Sequence, residues 1–186
     1  MIRKQFLKEV EVKMQKAIEA VKREFGEIRS GRANPKLVEG IRIDYYGSPT
    51  LLKNIATITV PEARLLIINP WDPNSTKAIE KAILESNLGI TPIVDGKVIK
   101  LVIPPLSQER REELIKIVKK IAEEGRISIR TVRREAKEKV RSMEKEKKIS
   151  EDDRYRLEEE LQKLTDRYIE EVDKILEEKE RELKEQ

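Results

Sequence analysis

The sequence predicts an α+β fold in which a three-helix antiparallel bundle carries an inserted small β/α/β domain. Three observations point there. Apolar residues recur at near-helical spacing in residues 1–30 and again across 106–186, whereas residues 31–105 switch to alternation and short β-branched runs. Proline and glycine mark both changes of period, at Ser30, Gly31, Arg32, Ala33, Asn34, Pro35 and at Pro104, Pro105. Long amphipathic helices do not hold alone in water, so the three must pack together. The bundle is therefore discontinuous, 1–30 with 106–186, and the domain 31–105 is inserted whole.

The first helix is expected from Ile2 to Ile28, with Leu7, Val10, Met14, Ala17, Val21 and Ile28 at three-four spacing and Phe25 alongside. Gly31 suits the left-handed position after a helix, and Pro35 keeps Asn34 out of the helical region. Ile41, Ile43 and Tyr45 then alternate with Arg42 and Asp44 as a half-buried strand, and Tyr46, Gly47, Ser48, Pro49 read as its turn. Further strands are expected at Ala56 to Val60, Arg64 to Asn69 and Lys97 to Ile103, with Pro61–Glu62 and Asp95–Gly96 as hairpin turns. A helix from Ser75 to Ser86, capped by Asn74 or Ser75, carries Ala78, Ile79, Ala82 and Ile83 on one face.

The second long helix begins after Ser107, and its seam runs from Leu114 through Val118, Ile121, Gly125, Ile129, Val132, Ala136 and Val140 to Met143. Ser150 and Asp153 form a start signal of the capping-box kind for the third helix, which carries Leu157, Leu161, Leu164, Tyr168, Val172, Ile175 and Leu183 inward. Two connections join the domains, Ser30, Gly31, Arg32 on one side and Pro104, Pro105, Leu106 on the other, a plausible joint.

Composition removes whole classes of chemistry. The chain has no cysteine and no histidine, which excludes thiol nucleophiles, imidazole acid–base catalysis and the usual zinc ligands. No glycine-rich phosphate cradle is present, and Asp152 with Asp153 sits at a helix start, where carboxylates meet the helix dipole. No catalytic residue, metal site or cofactor is expected, nor a small-molecule substrate. The start, MIRKQFLKEVEVK, lacks the apolar run of a signal peptide and no stretch is long enough to span a membrane, so a cytoplasmic protein with no membrane partner is expected.

Charge is unevenly divided. Residues 106–148 carry 15 basic and 9 acidic side chains, while 149–186 carry 8 and 15. Within the basic segment Arg126, Arg130, Arg133, Lys137 and Arg141 follow at steps of four, three, four and four, a stripe about 120° around from the seam, with Arg134 beside it. Glu135 and Glu138 project away, which leaves the arginines for another partner. Guanidinium groups grip phosphates two-handed, so the stripe fits a nucleic-acid backbone. The competing reading pairs Arg126, Arg130 and Arg133 with acids of the third helix. RNA is favoured because Glu151, Asp152 and Asp153 crowd one end of that helix. On this reading Arg133→Glu weakens RNA binding and leaves the fold intact. Trp71, between Pro70 and Asp72, is expected in a domain core or packed at the joint, and of Tyr45 and Tyr46 one faces in and the other out.

Several separated motifs resemble the bacterial ribosome recycling factor family. They are IRSGRANP from Ile28 to Pro35, DYYGSPT from Asp44 to Thr50, AIEKAI with SNLGITP through Pro92, the pair Pro104 and Pro105, IRTVRREA from Ile129 to Ala136, and ISEDD with LQKLTD. They cover essentially the whole chain in the family's order. The resemblance implies an L-shaped two-domain protein, working as a monomer, whose bundle binds large-subunit ribosomal RNA. With elongation factor G, which hydrolyses the GTP, it splits the post-termination ribosome into subunits. It implies RNA contacts at Arg130, Arg133 and Arg134, and a hinge signature at Arg29 and Arg32. The alternatives are a coiled-coil adaptor or chaperone that binds protein through its helices, and an enzyme that uses only carboxylates.

Overall fold

The computed structural model describes residues 2–185, which fall into two compact units. One contains the chain through Arg29 together with Gln108–Glu185; the other is Ser30–Ser107.

Three helices make the first unit: α1 (Ile2–Gly26), α4 (Gln108–Lys145) and α5 (Glu151–Lys184). Their directions follow from side-chain partners. Going up α4 from Arg126 to Arg141, the partners on α5 descend from Asp173 to Glu158, so these two run antiparallel. Arg3 and Lys22 of α1 meet Asp153 and Glu171, so α1 and α5 run parallel. Val21 lies against Gly125 and Phe6 lies under the Lys139 ammonium, which makes α1 antiparallel to α4.

The seam of α1 is Phe6, Val10, Met14, Ile18, Val21 and Phe25, all buried. Leu7 and Ala17 of the expected face are only half-buried, because the true stripe is turned by about one residue toward α4. The helix ends at Gly26, so Gly31, with φ +75°, is not its cap. On α4 the buried positions are Leu114, Val118, Ala122, Gly125, Ile129, Ala136 and Val140, and Ala122 replaces Ile121. On α5 Thr165 is buried among the leucines and satisfies its hydroxyl by donating to the Leu161 carbonyl at 2.7 Å. The α5 capping box forms: Ser150 Oγ accepts from Asp153 N at 3.1 Å and Ser150 N donates to Asp153 Oδ2 at 3.3 Å. The end of α4 carries no glycine. Lys147 takes the left-handed conformation, φ 58°, and Lys148 N reaches back to the Met143 carbonyl at 2.9 Å, closing a Schellman turn.

The second unit opens with a short helix, α2 (Lys36–Glu39), and a hairpin of β1 (Arg42–Tyr45) and β2 (Ser48–Leu51). The turn is Tyr46–Gly47 alone, both at positive φ, the conformation favoured in two-residue hairpins. Ser48 and Pro49 therefore belong to a strand rather than the turn. Pro49 faces Asp44, where the missing N–H would point off the edge of a two-stranded sheet.

A second sheet has the order β3 (Ala56–Glu62), β4 (Leu65–Pro70), β6 (Val98–Val102), β5 (Ile93–Asp95), antiparallel throughout. Pro61 and Glu62 end β3 beside a register shift, and the turn is Ala63–Arg64; proline is tolerated because β3 is an edge. Helix α3 (Thr76–Glu85) covers one face. Ile79 and Ile83 pack with Leu66, Ile68, Ile99 and Leu101 in the core. Ser75 precedes α3 without a side-chain cap; instead Asp72 caps the tight turn Pro73–Ser75, accepting from Asn74 N at 3.0 Å.

Candidate nucleic-acid interface

Three faces of α4 hold different side chains, set by where α1 and α5 lie. The inner face needs a glycine. A Cβ built on Gly125 would stand 2.5 Å from Val21 Cγ2, closer than two carbons approach, so the backbones of α1 and α4 meet there.

The flank toward α5 holds Arg126, Arg133 and Arg141. Arg126 Nε donates to Asp173 Oδ1 at 2.8 Å, Nη2 reaches the same carboxylate at 2.6 Å, and Nη1 lies 3.0 Å from Glu123 Oε2. Its side chain is only 18% exposed. Burial works against its charge, but hydrogen bonds to Asp173 and Glu123 outweigh it and hold the guanidinium pKa above its ordinary value. Arg133 donates from Nη1 to Gln162 Oε1, whose amide donates on to Asp166 Oδ1 at 2.8 Å, and its Nε is enclosed without a partner among the described residues. Arg141 Nε lies 3.5 Å from Glu158 Oε1.

The expectation that acids of α5 crowd one end and leave the stripe unserved is therefore corrected. Antiparallel packing sets Asp173, Gln162 and Glu158 along α5 at the levels of Arg126, Arg133 and Arg141. Arg133→Glu is consequently not a pure surface change, since it also breaks a link between helices.

The outward face holds Arg130, Arg134 and Lys137. Arg130 is exposed, and its one ion pair among the described residues is with Glu123 of its own helix, at 3.3 Å. Arg134 and Lys137 have no ion pair or hydrogen bond among the described residues. These three, with Arg133, Ile127 and Thr131, border an open depression of ≈ 350 Å³. Glu135 lies around the helix with Phe6, Glu9 and Lys139, away from this face.

Arg29 is exposed and Arg32 half-buried, beside the connections between the units. Within the second unit those connections touch. A Cβ on Gly31 would come to 3.1 Å from Leu106 Cγ and 3.3 Å from Leu106 N, so the position is tight, and its φ of +75° is one that favours glycine. Ser30 is buried and Leu106 half-buried. Ala33 N donates to the Ala63 carbonyl and Ile103 N to the Arg64 carbonyl, each at 2.8 Å, so both stretches are pinned to one hairpin turn.

The aromatics correct one expectation. Trp71 is 64% exposed and not a core residue; its Nε1 donates to Thr57 Oγ1 at 2.9 Å. Tyr45 is half-buried while Tyr46 stands out, its hydroxyl donating to Asp72. No helix is long and apolar enough to cross a membrane, and no three metal-ligating side chains cluster among the described residues.

The sequence model of the ribosome recycling factor family matches residues 21–183. The ribosome-recycling factor of Heliobacterium modesticaldum is 56% identical over 178 residues, 96% of each chain. That of Carboxydothermus hydrogenoformans is 53% identical over 177 residues, 95% of this chain and 96% of the relative. A solution structure of ribosome recycling factor superposes with TM-score 0.75 at 46% identity, covering 98% of this chain and 97% of that one. A second structure, of the T. thermophilus factor with E. coli elongation factor G bound to the E. coli post-termination complex, gives TM-score 0.66 at 43% identity, covering 98% and 99%.

Proposed function

The chain belongs to the ribosome recycling factor family, a family of non-enzymatic translation factors, and from that premise we propose that it binds the large ribosomal subunit through the outward face of α4. There it acts with elongation factor G to split the post-termination ribosome in the cytoplasm. The single observation that carries the RNA contact is the row Arg130, Arg134 and Lys137. Among the described residues these cations have no ion pair with a carboxylate of α5, unlike Arg126 and Arg141 on the flank. Phosphate contacts of this kind give affinity and register, and they weaken with salt as counterions are released.

The stretches Ser30–Arg32 and Pro104–Leu106, held together by Gly31 and Leu106, serve as the joint through which a force generated by the GTPase is transmitted. Arg29 and Arg32 stand beside it. The protein works as a monomer, and nucleotide hydrolysis belongs to the partner.

Co-sedimentation with isolated large subunits over a range of salt concentrations tests the contact, and subunit splitting with elongation factor G and GTP tests the action. Salt-sensitive binding and splitting are expected. Replacing Pro104 and Pro105 with a long flexible linker should keep the binding and abolish the splitting; retained splitting would remove the joint from the mechanism. An adaptor that uses its helices to capture protein would show no affinity for ribosomes.

A further inference from the structure

Resting on the RNA contact proposed for α4, we propose that the depression beside Arg130, Arg134 and Lys137 receives an unstacked nucleobase of ribosomal RNA, and that Ile127 and Thr131 are the side chains that touch it. Ile127 is 52% exposed. At 100° per residue it lies on the far side of α4 from Gly125, Ile129 and Ala136, so the bundle has no use for it. As a β-branched residue it is also a poorer helix former than the lysines and glutamates that fill other outward positions. A lone exposed isoleucine would mean little. This one lines, together with Thr131, Arg130, Arg133, Arg134 and Lys137, one open depression of ≈ 350 Å³.

The mixture selects the ligand. Phosphates alone gain nothing from an isoleucine, and a protein's apolar patch pressed onto it would have to desolvate Arg134 and Lys137 without offering them partners. A nucleotide displaced from its stack presents both chemistries. Its base has an apolar face for Ile127 and polar edges within reach of the Thr131 hydroxyl, while the phosphates on either side meet Arg130, Arg134 and Lys137. Bases within an A-form duplex are closed to a helix surface, so the nucleotide belongs to a loop or bulge.

The test compares wild type, Ile127→Ala, Ile127→Leu and Arg134→Gln for binding to isolated large subunits across salt concentrations. Dimethyl sulfate and carbodiimide footprinting then report on all four bases. Ile127→Ala should bind about fivefold more weakly with an unchanged salt slope, as loss of apolar contact requires. Arg134→Gln should weaken binding and lower the slope by about one. Wild type and Ile127→Leu should shield a base that Ile127→Ala leaves reactive. Wild-type affinity in Ile127→Ala overturns the inference. So does weakened binding with no change in base reactivity, which would assign Ile127 to a ribosomal protein. If wild type itself fails to bind at low salt, the RNA contact of α4 falls, and this inference with it. Circular dichroism and melting of Ile127→Ala should match wild type, since the side chain stands outside the seam.

Discussion

Arg126 and Arg134 stand about two turns apart on one helix and answer to different surroundings. Arg126 is folded onto Asp173 and Glu123 and is nearly enclosed, a strut between α4 and α5. Arg134 is exposed and has no ion pair or hydrogen bond among the described residues. The residue type is the same, and Arg134 lies just beside the stripe to which Arg126 belongs; what differs is the angle each side chain makes with the neighbouring helix. A basic stripe is thus two objects, a flank that holds the bundle together and an outer row that is available to a ligand.

The inner face is where this division is sharpest, and Gly125→Leu should have the largest effect. Its side chain would be driven into Val21, and overpacking of this kind costs about 3 kcal/mol, read as a lowered midpoint in thermal or urea unfolding. An unchanged midpoint would mean that α1 and α4 do not close there. Next come the two arginines. Arg134→Glu should weaken large-subunit binding about tenfold with wild-type melting. Arg126→Gln should lower stability by about 1 kcal/mol, since Asp173 is half exposed and screened by solvent, with little effect on binding. The opposite pattern would break the comparison.

A smaller effect is expected at the α4 terminus. Lys147 sits at φ 58°, where glycine is unstrained, so Lys147→Gly should raise stability by about 0.5 kcal/mol. A loss would show that the lysine side chain holds the turn. The smallest effect concerns acid. Hydrogen bonding to the Ser150 side chain, then to its backbone, holds the Asp153 carboxyl below its usual pKa. A depressed carboxylate pKa adds stability above the unfolded value of about 3.9, and that contribution disappears as pH falls through the folded value. Asp153→Asn should therefore melt slightly lower at neutral pH, with the difference vanishing in strong acid; a difference that persists there would place its cause outside ionisation.

These contrasts show what was legible in the sequence. Helical period located the side of α4 and α5 that turns inward, although Ile121, Val132, Met143, Leu164 and Ile175 of the expected seams are only half-buried, and Ser150 with Asp153 announced the start of α5; both signals are local. The direction of α1 relative to α5, and with it the match of Asp173 to Arg126 and Gln162 to Arg133, depends on register between distant segments, which no local pattern carries. The same holds in the inserted unit. Pro49 and Pro61 read as turn residues from local preference, yet both lie in strands, since the edges they occupy ask for no N–H. Trp71 read as a core or joint residue from its place after a strand, and its exposure follows from Pro70 taking the inward position at the end of β4. Ile127 carries no local signal of its own; its distance in angle from the seam of α4 is what sets it apart.

The split of the bundle into two sequence segments also bears on the order of events during synthesis. The unit Ser30–Ser107 is contiguous, and all of its core residues have been made once β6 is complete. Helix α1 is made first of all, but Phe6, Val10 and Met14 wait for partners on α4 and α5, the last segments to emerge. The newborn chain thus carries a helix with one uncovered apolar face through most of its own translation, while the contiguous insert is free to fold before the bundle is complete. The bundle closes late, by long-range docking onto an end that has been exposed from the start.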